Sequence, residues 1–246
     1  MNFRYVWLIW SSAFLLPWAA LWLLAGSYRG TMWHTSLATA PFGLTEPLFV
    51  PEYWNPPSVF DLAQRTGFDV ESLIFCFAIG GVGAVLYNIV SRRYLAALPA
   101  AEHERTRHRW HRIALLTPVV TFLLFYWLPW NPIYPGITAM TLGAIAAAAC
   151  RPDLATKTFV GGLLFLVYYG VFMLALLWSA PGYIEQVWNL PALTGIRLAG
   201  IPLEELLYGF AFGMYWTGVY EHITWRGTPH STRQHHPQPP MAISGA

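Results

Sequence analysis

The sequence predicts an all-α integral membrane protein. It has about six transmembrane helices, or seven with one short extra segment, and an internal parallel duplication. Three observations carry this reading. Of the 246 residues, 56% are hydrophobic and only 11% charged, whereas a soluble domain carries about 25% charged residues. Several apolar runs reach about 20 residues, the length a helix needs to cross a bilayer. One acid-headed apolar stretch also occurs twice.

Taken in order, the spans fall near residues 5–25, 72–90, 113–130, 133–150, 159–179 and 203–225. The first follows Arg4 and ends at AGS. It is longer than the roughly 7–15 apolar residues of a secretory signal, so a retained helix is expected. Residues 37–50 include ATAPFGLTEPLFV, apolar enough for a short or re-entrant seventh segment. Its prolines and glycine argue against a regular helix.

Basic residues set the orientation. Residues 91–112 hold Arg92, Arg93, Arg105, Arg107, Arg109 and Arg112, which places this loop in the cytoplasm. Alternation then puts Arg151, Lys157, Arg226 and Arg233 inside and the uncharged WNPIYPG outside. The expectation is a protein of the cell's inner or plasma membrane with six spans and both termini cytoplasmic. Four stretches follow: a first membrane unit (1–90), a basic loop with a helical hairpin (91–157), a second membrane unit (158–226) and a polar, Pro-rich tail (227–246). The tail is too poor in apolar surface to order itself.

The net charge of +2 gives no reason to expect a nucleic-acid partner. Cys76 and Cys150 fall in apolar runs and read as small hydrophobes. His103, His108 and His111 lie among arginines that repel a cation, and His230, His235 and His236 lie in the tail. Neither group predicts a metal, and no cofactor is expected.

The duplication appears when FDVESLIFCFAIGGVGAVLYNI (68–89) is set over IPLEELLYGFAFGMYWTGVYEH (201–222). A constant shift of 133 pairs Glu71 with Glu204, Phe75 with Tyr208, Phe77 with Phe210, Gly80 with Gly213 and Tyr87 with Tyr220. Upstream, EYWNPP (52–57) resembles QVWNLP (186–191) at a shift of 134. Both copies run from outside to inside, as in a parallel repeat. A third Trp-Asn-Pro stands at 130–132, and interfacial tryptophan is common enough for that to be chance.

Glu71 opens the second span, with Asp69 two residues earlier, and Glu204 and Glu205 open the sixth. Adjacent helical residues point about 100° apart, so the two glutamates border one cavity without facing one spot. Tyr208, Phe212, Tyr215 and Trp216 follow in the sixth span, and Phe75 in the second. Acids at the mouth and aromatics deeper in suit carbocation chemistry on an isoprenoid. A carboxyl in apolar surroundings protonates more readily because desolvation disfavours the anion. Aromatic faces stabilise a cation by about 0.5–2 kcal/mol each, and a second carboxylate takes the final proton. No Asp-rich diphosphate motif is present. Glu221 and His222 lie at the far end of the sixth span, where interfacial anchoring is expected. Gly80, Gly81, Gly83, Ala139, Gly143 and Ala147 read as close helix packing.

Pro202, Glu204 and Glu205 followed by an aromatic helix resemble the lycopene cyclase domain family, the small integral-membrane type of heterodimeric bacterial and fungal bifunctional cyclases. That family has two homologous membrane units, each with Pro-x-Glu-Glu or Pro-x-Glu-Asp at the head of a span. The first unit here departs from this, with Asp69-Val70-Glu71-Ser72. Either this unit is relieved of catalysis or Asp69 stands in for the second acid.

The resemblance implies a carotenoid end-group cyclase, an intramolecular lyase or isomerase working without redox change on a hydrophobic polyene held in the bilayer. Glu204, Glu205, Glu71 and Asp69 are then the catalytic candidates. Tyr208, Phe212, Tyr215, Trp216 and Phe75 line the substrate. Another membrane terpene cyclase or hydratase, or a non-catalytic carotenoid-binding protein, is the alternative, and a homo-oligomer is compatible with either.

Overall fold

The computed structural model describes residues 3–99, 103–104 and 106–227, and within them the chain is an all-α membrane protein. Arg105, Arg233 and the tail histidines His230, His235 and His236, with the disorder expected of residues 228–246, lie outside the described residues. The helices are α1 (Val6–Ala13), α2 (Leu15–Leu24), α3 (Arg29–Thr39), α4 (Leu62–Thr66) and α5 (Val70–Val90). They continue as α6 (His111–Tyr126), α7 (Ile133–Cys150), α8 (Ala155–Ser179), α9 (Tyr183–Val187) and α10 (Leu203–Thr224). Val6–Leu24, Val70–Val90, Ile133–Cys150 and Pro152–Ser179 are long and apolar enough to cross a membrane.

Local sequence explains the breaks. Pro17 lacks the N–H that would bond the Ala13 carbonyl, and α1 gives way to α2 at Phe14. Beyond α3, Pro41 and Pro47 bound a 3₁₀ stretch, Ala40–Leu48. This stretch lies against α5 so closely that a Cβ on Gly43 would stand 2.6 Å from the Leu73 amide nitrogen. α6 packs on α7, and α10 packs on α8, α7 and α5. The small residues serve these contacts: Gly80 faces Thr39 and Gly143 faces Pro118.

The 29–48 stretch lies along α5. Eleven α-helical residues and nine 3₁₀ residues, at about 1.5 and 2.0 Å per residue, reach about 35 Å. The stretch runs antiparallel to α5, with Ser36 at Gly81 and Gly43 at Ser72–Leu73. Tyr28, just before it, donates to the Arg93 carbonyl at 2.8 Å, beyond the far end of α5. Trp7 packs on Trp54 and Phe75 at the acid end (ring centroids 4.8 and 5.4 Å). Arg226–Gly227 pairs with Ala96–Ala97 at the other end. The short or re-entrant segment expected within residues 37–50 is thus a 3₁₀ stretch packed on α5.

α5 and α10 run in the same direction. Asn88 near the end of α5 donates to Glu221 near the end of α10 at 3.0 Å, and Thr217 donates to the Gly83 carbonyl at 3.0 Å. Glu221 is fully buried and paired with Lys157, so the anchoring role expected for it is replaced by an internal ion pair. His108 is buried too, not solvated as its arginine-rich neighbourhood suggested.

Candidate active site

The site lies at the end of the bundle where α5 and α10 begin. Two loops build it, and they meet through the repeated Trp-Asn element. Trp54 and Trp188 form an antiparallel bridge, with the Asn55 amide donating to the Val187 carbonyl (2.8 Å) and the Asn189 amide to the Tyr53 carbonyl (2.9 Å). The third Trp-Asn-Pro joins them, because Asn131 and Asn189 both donate their side-chain amides to the Glu52 carbonyl, at 2.8 and 2.9 Å. The three elements thus tie the heads of both units and of α7 together.

This clasp fixes the surroundings of Glu205, which is 3% exposed. Trp188 Nε1 donates to Oε1 at 2.7 Å, the Tyr53 hydroxyl donates to the same oxygen, and the Tyr169 hydroxyl donates to Oε2 at 2.5 Å. An indole N–H donates only. Both oxygens of Glu205 are therefore held by donors, as suits a carboxylate that accepts. Burial and the neighbouring Glu205 push the Tyr53 phenol well above its ordinary value, which keeps it a donor.

Glu204 is held differently. Its Oε1 accepts from the Tyr134 hydroxyl and the Thr194 amide, both at 2.8 Å, while Oε2 is buried without a partner. Glu71, its counterpart in the first unit, repeats this arrangement. Oε1 accepts from the Val59 amide at 2.7 Å, and Oε2 is buried without a partner. In both copies a backbone amide of the preceding loop grips one oxygen and leaves the other unpartnered.

Asp69 caps α5, accepting from the Ser72 amide at 2.5 Å. Burial raises its carboxyl above the ordinary range, although that amide bond opposes the shift. Ser72 occupies the position of Glu205, so the first unit lacks the second acid on its own helix. Glu46, from the 3₁₀ stretch, comes to Ser72, Asp69 and Trp54 instead. An acid from a neighbouring segment thus stands beside the vacated position and beside Trp54, the counterpart of the indole that serves Glu205.

The acids form two buried sets, Glu204 with Glu205 and Glu71 with Asp69 and Glu46. Trp54 and Trp188 stand in contact between them (centroids 5.3 Å). Aromatic rings continue inward from Glu205. Tyr169 carries its ring into a nest of Tyr208, Phe14, Phe165 and Phe75, at 5.8 to 6.4 Å. Phe212 joins Tyr208 to Trp216 at 5.9 Å on each side. Tyr215 touches Trp216 edge-on at 5.4 Å and continues this column sideways. A cavity of about 80 Å³ borders Glu204, lined by Leu190, Leu193, Ile196 and Pro202 among others.

Sequence reasoning missed Glu46 and the donors Tyr53, Tyr134, Tyr169 and Trp188. Trp188 carried a signal in its repeated WNxP element. Glu46 carried a weaker one, as the only acid in an apolar Pro-bounded stretch.

Residues 131–223 match the family model for lycopene cyclase. The matched region contains Tyr134, Tyr169, Trp188, Glu204, Glu205 and the Tyr208–Trp216 column, and it leaves out Glu46, Tyr53, Asp69 and Glu71. No curated protein and no solved structure matches the chain.

Proposed function

We propose that this chain, with a lycopene cyclase segment over residues 131–223, is a carotenoid end-group cyclase that isomerises an acyclic polyene by acid–base chemistry. The observation that carries the proposal is Glu205, a buried carboxylate held by Trp188, Tyr53 and Tyr169 at the head of an aromatic column. Such a group takes a proton from a cation without itself moving. Glu204 and Glu71, each with one gripped and one unpartnered oxygen, are suited to carry the proton that starts the reaction.

In this reading the ψ-end of the polyene receives a proton, an internal double bond attacks the resulting cation and closes the ring, and Glu205 removes a proton to leave a β-ionone end. One proton enters and one leaves, so the step is an isomerisation. The rings of Tyr208, Phe212 and Trp216 stabilise the intermediate charge by about 0.5–2 kcal/mol each. The two membrane units are read as duplicated, with Glu46 supplying the first unit's second carboxyl.

The cavity beside Glu204, about 80 Å³, is well below the roughly 300–1,000 Å³ of an ordinary ligand pocket. A long polyene would therefore enter by parting helices. The same observation favours a second reading, a protein that holds a carotenoid along its lipid-facing aromatics without converting it. Expression in a lycopene-producing host separates the two. Conversion of lycopene to γ- or β-carotene supports the cyclase, and recovery of bound, unchanged lycopene with a folded protein supports the second reading.

A further inference from the structure

We propose that His108, His111 and Cys150, at the end of the bundle opposite the acids, form a binding site for a divalent transition metal of zinc's class. The basic loop and the end of α7 bring them together. Their donor atoms lie within 4.8 Å of one another, with Cys150 Sγ 3.5 Å from His108 Nδ1 and 3.7 Å from His111 Nδ1.

The two sulfur–nitrogen separations match those of a tetrahedral metal site. Bonds of about 2.3 Å to sulfur and about 2.0–2.1 Å to nitrogen, at a tetrahedral angle, set S and N about 3.6 Å apart. Two imidazoles and one thiolate suit zinc and its neighbours better than a hard cation. A second observation points the same way. His222 of α10 is buried with Nε2 unpartnered, and its ring stands edge-on to His111 at 4.4 Å. Three protein ligands leave a fourth position that water or a turned His222 fills.

Trp225 closes the site, stacked on His111 at 4.3 Å and edge-on to His108 at 4.9 Å. A groove of about 250 Å³ between α6 and α7, lined by Trp110, Ala114 and Ala149 among others, reaches Cys150 and offers access. The adjacent charge of Arg151 is offset by Asp153, at 2.6 and 2.8 Å. A metal here would staple the basic loop to α7, with no part in the acid–base chemistry at the other end. Binding displaces the thiol proton, so affinity rises with pH.

The test uses the full chain, purified in detergent without a polyhistidine tag, stripped of metal and reloaded with Zn²⁺ or Co²⁺. Elemental analysis is expected to find stoichiometric zinc. The cobalt form is expected to show tetrahedral d–d bands with a thiolate-to-cobalt charge-transfer band. Cys150→Ser should abolish the charge-transfer band and weaken binding beyond the roughly 10–100-fold that losing even an outer partner costs. A His230→Gln, His235→Gln, His236→Gln triple variant should change neither readout. The proposal is overturned if the wild-type chain shows no charge-transfer band, if Cys150→Ser keeps it, or if metal content follows the tail histidines. The wild-type spectrum decides the matter even if Cys150→Ser does not fold.

Discussion

Asn88 Nδ2 donates to Glu221 Oε1 at 3.0 Å, and these two residues occupy the same position in the two repeated helices. The aligned positions of the two copies thus meet directly at the basic end, as Trp54 and Trp188 meet at the acid end. Lys157 adds its ammonium to the same Glu221 oxygen, so an ion pair with almost no exposure holds α5, α8 and α10 together.

Removing the cation alone leaves that carboxylate buried without its counter-charge. Lys157→Met is expected to destabilise the protein by about 3–5 kcal/mol, read as thermal unfolding in detergent. Lys157→Met combined with Glu221→Gln should recover most of the loss. An unchanged melting temperature for Lys157→Met alone would count against the buried pair.

Asp69 separates capping from charge. Its carboxyl is raised by burial, so its protonated form is the one folding favours. That contribution is present below the ordinary carboxyl value and is lost as pH rises through the raised one. Asp69→Asn keeps the cap and removes the charge, so at neutral pH its melting temperature should equal or exceed wild type, with the gap narrowing in acid. Asp69→Ala loses the cap and should cost about 1 kcal/mol. A large loss in Asp69→Asn at neutral pH would instead mean that the anion itself is needed.

The donors of Glu205 are expected to matter one at a time. Trp188→Phe keeps an aromatic ring but removes the 2.7 Å bond, leaving Oε1 with the Tyr53 hydroxyl alone, at a cost of about 1–3 kcal/mol. Tyr169→Phe should behave alike. Pigment conversion should fall in both variants while the helical circular dichroism is kept.

Gly43 tests the packing of the 3₁₀ stretch on α5. A methyl group there would meet the α5 backbone at 2.6 Å, so Gly43→Ala should destabilise by about 1–3 kcal/mol. An equal melting temperature would mean that the 3₁₀ stretch does not lie against α5 in this way.

Much of this could be read in the sequence because its cause is local. The apolar runs give the helices, and the WNxP elements and acid-headed helices give the repeat. PLEE points to the segment that matches lycopene cyclase. What was not legible depends on distant contacts or on backbone without a period. Residues 40–48 follow a 3₁₀ path set by Pro41 and Pro47, so no 3.6-residue pattern marks the segment that packs on α5. The Tyr53, Tyr169 and Trp188 donors reach Glu205 from three separate segments, and their side chains look like ordinary interfacial aromatics until the fold brings them together. Arginines around His108 and His111 concealed that both histidines turn towards Cys150, which precedes Arg151 in sequence and had read as a plain hydrophobe.

The central claim is that Glu205 is the proton acceptor of a ring closure, and the most direct measurement is the conversion of lycopene by membranes carrying wild-type or Glu205→Gln protein at equal, folded amounts. The account predicts cyclised carotene from wild type and a fall of about 10²–10⁴-fold in Glu205→Gln, the range for loss of a general acid or base. Conversion by Glu205→Gln at the wild-type rate would contradict it.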